Sequence, residues 1–174
     1  MLAEARKRPG TLFIGIDPVQ ALMADAARRA AAKPSRGGVP NALFLQSSLE
    51  SLPHTFEEIA DQITVNYPWG SLLRAAALPD LDLLSRLAAI AKHGGQIEIH
   101  INIHPFRDPA YAARIGLSHA LLIASGDAFH AAYARAGLVV REIADVSANP
   151  CATRWGKQLK HGAREILRVR ATRM

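Results

Sequence analysis

The feature that most constrains this sequence is an alternation of short apolar segments with alanine-rich segments along its whole length. The apolar segments predict strands at residues 11–17, 41–48, 62–69, 96–103, 138–146 and 164–172. The intervening segments predict helices at residues 19–33, 72–91, 125–137 and 153–161, and a short helix or turn at 52–59. Such alternation predicts an α/β fold with a largely parallel sheet and helices on both faces.

Three features add detail to these predicted elements. Isoleucine occupies every second position from Ile97 to Ile103, which predicts a strand with one buried face. The last two predicted strands have little helix between them, so we expect them to pair antiparallel at one edge. Pro79 and Asp80 interrupt the second long helical segment, and we expect the helix to restart there.

Length and composition favour a single folded domain over residues 1–174, with 49% hydrophobic and 21% charged residues. The one cysteine, Cys151, excludes an intrachain disulfide and a zinc cluster made of cysteines. No apolar run is long enough to span a bilayer, and the charged N-terminus lacks the apolar stretch of a secretory signal. We therefore expect a cytoplasmic protein with no membrane partner.

The positive charge is concentrated at the C-terminus. Residues 151–174 hold seven lysines and arginines and one acid, so they account for the entire net charge of +6. A localised basic segment is typical of a site for a polyanion, usually nucleic acid, and a solvated basic tail is the alternative. Trp155 lies inside this segment, which favours RNA because unpaired bases stack on aromatic side chains.

Two loops that follow predicted strands carry candidate binding residues. Asp17 ends the first strand, where an acidic side chain can accept both hydroxyls of a nucleotide ribose. The alternative is that Asp17 caps the helix that begins after Pro18. The loop at Ser48, Leu49 and Glu50 follows the second strand, and its amides are candidates for contact with a nucleobase.

Trp69 lies in the segment Asn66–Ser71 at the end of the third predicted strand. A ring presented there can stack on a nucleobase, a contact of about 1–3 kcal/mol, although a core position is the alternative. If Trp69 and Trp155 face one cleft, they clamp an extruded base from both sides. The seven histidines show no spacing typical of metal ligands, so we expect no metal site.

Five strings in a definite order carry a resemblance to one protein family. They are Phe13–Pro18, Lys33–Gly38, Glu50–Pro53, Pro68–Leu73, and Thr153–Trp155 followed by Lys157 and Gly162. The chain resembles the aminoglycoside-resistance 16S rRNA methyltransferases of the Kam and Npm type, which modify N1 of adenine 1408 in the decoding site. The string Pro68–Leu73 is the more specific signal, and a strand that ends in Gly-Ile-Asp-Pro is less specific.

The resemblance implies a class I methyltransferase, with a Rossmann-like sheet, an antiparallel C-terminal edge and S-adenosylmethionine (SAM) as cofactor. The residues that would bind the cofactor are Asp17 and Pro18 at the ribose, Ser48, Leu49 and Glu50 at the adenine, and Ser71 near the reactive end.

The same resemblance implies how the substrate is held. Trp69 and Trp155 would sandwich the flipped adenine, and Thr153 would help to hold the C-terminal segment against it. The residues that would grip rRNA phosphates are Lys33, Arg36, Arg154, Lys157, Lys160 and Arg164. The implied partner is the 30S subunit with its 16S rRNA, bound by a monomeric protein.

The sequence also departs from the family pattern. The family begins with a central strand and a glycine-rich cofactor loop, and neither is found before residue 11. We therefore expect an N-terminally incomplete domain in which the first strand is missing and two neighbouring strands have unpaired edges. Asn66 and Tyr67 replace an expected phenylalanine-type step, and Gln158 stands where a basic residue is common.

Two other functions remain open at this point. Asn66–Trp69 loosely resembles the Asn-Pro-Pro-aromatic motif of amino-methylating enzymes, which would make the target an exocyclic amine. Without the glycine-rich loop, the chain can also be a non-catalytic or truncated homologue that binds RNA through its basic C-terminus.

Overall fold

The computed structural model describes residues 1–78, 80–114, 126–148 and 165–174. The helices are α1 (Leu2–Lys7), α2 (Gln20–Ala30), α3 (Gly70–Ala77), α4 (Leu81–Ile90), α5 (Pro109–Arg114) and α6 (Asp127–Arg135). The strands are β1 (Phe13–Asp17), β2 (Ala42–Gln46), β3 (Ala60–Asn66), β4 (Ala91–Asn102), β5 (Leu138–Asp145) and β6 (Ile166–Arg173). The chain divides into two compact units, Met1–Pro53 (the first unit) and His54–Met174 (the second unit).

The first unit is built on two parallel strands. β1 and β2 pair from Phe13 opposite Ala42 to Asp17 opposite Gln46, so both strands end at the same edge. Among the described strands, β1 pairs with β2 alone, which matches the unpaired edge expected from the sequence. The small core consists of the buried residues Ala5, Ala30, Val39 and Ala42, and the partly buried Leu2, Phe13 and Phe44 pack against it.

Asn41 ties the end of α1 to the start of β2. Its Nδ2 lies 2.9 Å from the carbonyl oxygen of Ala5, 3.0 Å from that of Arg8 and 2.8 Å from that of Thr11. The Ala5 and Arg8 carbonyls also accept backbone amides, from Arg8 at 3.3 Å and from Thr11 at 3.1 Å, so the Asn41 amide adds to the hydrogen bonds at the end of the helix.

The second unit contains a four-stranded sheet in the order β3-β4-β6-β5. β3 and β4 are parallel, whereas β6 is antiparallel to both β4 and β5. The expectation that the last two strands pair antiparallel is confirmed, with β5 at the sheet edge and β6 inserted beside β4. Among the described strands, β3 pairs only with β4, so its other edge is unpaired as well.

Residues on both faces of β4 are buried, whereas the sequence predicted one buried face. Ile97, Ile99 and Ile101 are buried as expected, and helices α3 and α4 pack against this strand. On the opposite face, His100 and Asn102 are also buried, with 4% and 5% of their surface exposed. The isoleucine alternation identifies the apolar face but not the burial of the polar one.

The break predicted near Pro79 is confirmed. α3 ends at Ala77 and α4 begins at Leu81, with Asp80 as its N-cap. The Asp80 carboxylate accepts hydrogen bonds from the amides of Asp82 and Leu83 at 3.1 and 3.2 Å. Among the described helices, none combines the length and apolar content needed to cross a membrane.

Candidate functional site

Asp17 lies at the carboxyl end of β1 and is partly buried. Its Oδ1 accepts a hydrogen bond from the amide of Val19 at 2.8 Å, just before α2 begins. Asp17 is nevertheless not the helix cap considered above, because Val19 is the N-cap of α2 and no side chain makes a capping hydrogen bond there. Within the described part of the chain Oδ2 accepts no hydrogen bond, so the carboxylate retains an acceptor for a ligand hydroxyl.

The loop after β2 is folded tightly beside Asp17. The amide of Ser47 donates to the Asp17 carbonyl at 3.2 Å, and the Gln46 side chain donates to the Pro18 carbonyl at 3.3 Å. Leu49–Ser51 forms a 3₁₀ turn in which the Ser48 and Ser51 hydroxyls lie 3.1 Å apart. The candidates of the first unit, Asp17, Pro18, Ser48, Leu49 and Glu50, are thus brought together at the carboxyl edge of β1 and β2.

Lys33 and Arg36 lie on a compact turn, and both side chains are exposed. The Lys33 carbonyl accepts hydrogen bonds from the amides of Arg36 and Gly38 at 2.8 and 3.1 Å. Gly37 has φ +81, a left-handed conformation that favours glycine. A Cβ on Gly38 would lie 1.7 Å from the Ala32 carbonyl oxygen, so no side chain fits there.

A depression of about 400 Å³ lies next to this turn and is lined by four arginines. They are Arg6, Arg28, Arg29 and Arg36, with Ala32 and Gly37. Asp25 pairs with Arg28 at 2.6 Å and with Arg29 at 3.8 Å, and these pairs are exposed. Like charges that converge on one concavity favour an anion there. The sequence reading named Arg36 but missed the other three, although Arg28 and Arg29 are adjacent in sequence.

Trp69 is carried by a strained turn between β3 and α3. Tyr67 has φ +52 although it is not glycine, and Gly70 has φ +59. The Tyr67 side chain is buried, and its amide donates to the His100 carbonyl at 2.8 Å, which holds the turn against β4. Left-handed residues other than glycine concentrate at functional sites. Ser71 follows in the first turn of α3.

The Trp69 side chain is half exposed, at 51%, although it is the largest apolar side chain in the second unit's described residues. Its ring lies 6.3 Å from that of Tyr111, and the two planes are nearly perpendicular, at 84°. The Arg114 guanidinium lies 5.1 Å over the Tyr111 ring. Tyr111 was missed by sequence reasoning. The signal for it was a helix start at Asp108-Pro109 that places Tyr111 and Arg114 three residues apart, on one helix face.

A polar cluster lies on the opposite face of β4. His100 Nε2 is 3.4 Å from Glu98, and Arg170 bridges Glu98 at 2.7 Å and Glu142 at 3.1 Å. Burial lowers the pKa of His100, Glu98 raises it, and nearby Arg168 contributes to lowering it. Among the described residues, the His100 Nδ1, Asn102 Nδ2 and Arg168 Nε atoms are buried without a hydrogen-bond partner. A neutral imidazole is the form that such a buried site favours.

The remaining candidates lie outside the described residues. They are Thr153, Arg154, Trp155, Lys157, Lys160 and Arg164. In the parts of the chain that the structure does describe, no three histidine, cysteine or carboxylate side chains are grouped to hold a metal.

Comparison with known proteins identifies the family to which these features belong. The family model NpmA, described as 16S rRNA (adenine(1408)-N(1))-methyltransferase, matches residues 1–173. The chain belongs to this family. The resemblance inferred from the sequence strings is therefore confirmed.

The alignments with curated relatives cover about half of this chain. A 16S rRNA (adenine(1408)-N(1))-methyltransferase of Escherichia coli is 41% identical over 88 residues, which cover 51% of this chain and 40% of the relative. One of Streptoalloteichus tenebrarius is 34% identical over 103 residues, which cover 59% of this chain and 47% of the relative. The matched part of the chain thus spans less than half the length of either relative.

Solved structures align over almost the entire chain. The aminoglycoside resistance methyltransferase NpmB1 is 37% identical, with a TM-score of 0.85 over 99% of this chain and 81% of its own. A tryptophan-to-alanine mutant of the 16S rRNA (adenine(1408)-N(1))-methyltransferase from Catenulisporales acidiphilia, solved with the cosubstrate SAM, is 31% identical with a TM-score of 0.80. The alignment covers 99% of this chain and 80% of the mutant's chain. The expected methyltransferase fold of the α/β class is confirmed.

Proposed function

We propose that this chain methylates N1 of adenine 1408 in the 16S rRNA of the 30S subunit, with SAM as methyl donor, and thereby confers aminoglycoside resistance. The observation that carries the proposal is the family match over residues 1–173. The half-exposed Trp69 on a strained turn supports it, because an enzyme that acts on a base needs an accessible ring on which that base can stack. We further propose that residues 1–174 act as one methyltransferase domain in a cytoplasmic monomer.

The residues of the first unit fit a nucleoside-containing cofactor. The free acceptor of Asp17 suits a ribose hydroxyl, with Pro18 beside it, and the turn at Ser48, Leu49 and Glu50 suits the adenine border. Ser71 of the second unit would help to position the reactive end. When bound, SAM supplies a methyl group on a positively charged sulfur.

The chain's contribution to the reaction is orientation. The N1 lone pair of adenine lies in the ring plane, so no general base has to remove a proton before transfer. Adenine N1 forms a bond to the methyl carbon as the carbon–sulfur bond breaks, which leaves a neutral thioether and a positively charged base. Trp69 and Trp155 would hold the base in line for this displacement, with Thr153 as support. The added charge and the blocked pairing edge would weaken the binding of cationic aminoglycosides.

Cationic side chains would hold the rRNA backbone. In the first unit, Lys33 and Arg36 are exposed beside the depression lined by arginines. In the C-terminal segment, the residues proposed for this role are Arg154, Lys157, Lys160 and Arg164. Phosphate contacts of this kind position the RNA and make its binding depend on salt.

The experiment that tests the proposal is reverse transcription through the decoding site after incubation of 30S subunits with the chain and SAM. N1-methyladenine does not pair, so we expect a stop at adenine 1408 that requires SAM. Trp69→Ala should abolish the stop, and Trp69→Phe should retain part of it because a ring remains. The control is the same reaction without SAM.

The other outcomes separate the alternatives. A cooperatively folded chain that binds 30S subunits but produces no stop would contradict the proposal and favour a non-catalytic RNA-binding homologue. Mass spectrometry of the modified nucleoside distinguishes N1-methyladenine from the N6-methyladenine expected of an amino-methyltransferase.

A further inference from the structure

The surroundings of Trp69 at the start of α3 bear on how firmly its indole is held. Trp69 is the N-cap residue of α3, and its side chain makes no capping hydrogen bond. The residue as a whole is 51% exposed. Within the described residues, the one ring that packs against it is Tyr111, at 6.3 Å and 84°. Because half of the residue is open to solvent, removal of the Tyr111 ring would leave the indole with fewer contacts that restrict its rotamer.

Tyr111 is itself anchored to the core of the second unit. Its ring lies 6.2 Å from that of Phe106, a side chain only 2% exposed. Its backbone is fixed by Asp108, whose carboxylate accepts hydrogen bonds from the amides of Ala110 at 2.9 Å and Tyr111 at 3.3 Å. The Arg114 guanidinium lies 5.1 Å from the ring centre on α5. The contacts therefore form a continuous aromatic series from a buried ring to an exposed one.

This series has a consequence for base stacking. An exposed aromatic ring that must be ordered before it stacks loses conformational freedom on binding, and a ring that is already ordered loses less. A perpendicular aromatic pair contributes an attraction beyond the apolar area that it buries. We propose that Tyr111 is a positioning residue that holds the Trp69 indole ready for the target adenine. This inference rests on the proposed function, in which Trp69 stacks on that base.

Two measurements test the inference independently. In a Trp155→Phe background, fluorescence anisotropy and acrylamide quenching report on Trp69 alone. We expect Tyr111→Ala to lower the anisotropy and increase the quenching, and Tyr111→Phe to resemble the parent. In the chain with both tryptophans, we expect Tyr111→Ala to reduce kcat/KM for 30S methylation about three- to tenfold, with Tyr111→Phe restoring it.

The matched control is His130→Ala, which removes a ring from another near-perpendicular pair, Phe129 and His130, at 6.4 Å and 73°. It should change neither readout. Each variant is checked for cooperative unfolding, and Tyr111→Leu replaces Tyr111→Ala if the smaller side chain prevents folding.

Each other result overturns part of the argument. Unchanged anisotropy and quenching in Tyr111→Ala would show that Tyr111 does not order Trp69. A mobile Trp69 with unchanged kcat/KM would show that its order does not matter for the reaction. If the parent chain produces no methylation at all, the proposed function fails in that arm, and the inference falls with it.

Discussion

Gly38 lies where any side chain would collide with the backbone. A Cβ there would be 1.7 Å from the Ala32 carbonyl oxygen, and the Gly38 amide is held to the Lys33 carbonyl at 3.1 Å. We predict that Gly38→Ala lowers the free energy of unfolding by about 2–4 kcal/mol, measured by urea denaturation. The matched control is Gly10→Ala, because no atom lies within 4 Å of that Cβ. Equal stability of the two variants would contradict the prediction.

The hydroxyl group of Tyr133 lies in the core and is hydrogen-bonded there to a backbone carbonyl. The side chain is fully buried, and its hydroxyl donates to the Ala76 carbonyl at 2.9 Å. Burial raises the pKa of Tyr133 well above its usual value, so the hydroxyl remains a donor. We predict that Tyr133→Phe lowers the free energy of unfolding by about 1 kcal/mol in urea denaturation. Tyr111→Phe, at a partly exposed site, should have little effect, and an equal loss in both variants would refute the assignment.

At the scale of elements, the turn at residues 33–38 is joined to α1 by a single side chain. The Arg6 guanidinium donates to the Gly37 carbonyl at 2.9 Å. We predict that Arg6→Ala accelerates tryptic cleavage between Arg36 and Gly37 by about two- to tenfold, because the turn opens more often. The measurement is mass spectrometry of a cleavage time course.

The control for this prediction removes the same charge from the same region. Arg8 lies 4.8 Å over the Phe13 ring, and among the described residues no hydrogen bond or ion pair joins its side chain to the turn. Arg8→Ala should leave the cleavage rate at residue 36 unchanged. Equal acceleration in both variants would indicate an effect of charge or of α1 stability rather than of the Arg6 hydrogen bond.

At the scale of the whole molecule, stability should depend on pH through His100. Its pKa is lowered in the folded state chiefly by burial, with Glu98 opposing and Arg168 and Arg170 adding to the shift. The unfolded chain therefore binds a proton at a higher pH than the folded chain does. This contribution to stability is complete above the unfolded histidine pKa of about 6.5 and is lost as the pH falls through the folded value.

We predict that the urea midpoint falls between pH 7.5 and pH 5 and that His100→Gln reduces this fall. His93→Gln is the matched control, because that side chain is exposed on the same strand. Parallel pH profiles for the parent and the His100 variant would contradict the prediction.

Local chemistry determined the elements of this fold. Short apolar segments located all six described strands, with the largest error at β4, which begins at Ala91 rather than at residue 96. The isoleucine alternation marked the buried apolar face of β4, because side chains alternate in a strand. The restart of the helix at Asp80 followed from proline, which cannot continue a helix. Five short strings in a definite order, among them those around Asp17, Gly38 and Trp69, predicted the family, since a strand end or a tight turn requires particular residues within a few positions.

The tertiary structure decided which distant groups meet. The insertion of β6 beside β4, the burial of His100 and Asn102, and the contact of Trp69 with Tyr111 join residues that are far apart in sequence. No local pattern encodes these contacts, because they depend on how sheet order and helix packing bring separate segments together. The sequence by itself therefore determined the elements and the family, whereas only the folded chain placed Tyr111 against Trp69 and buried His100 so that its pKa is lowered.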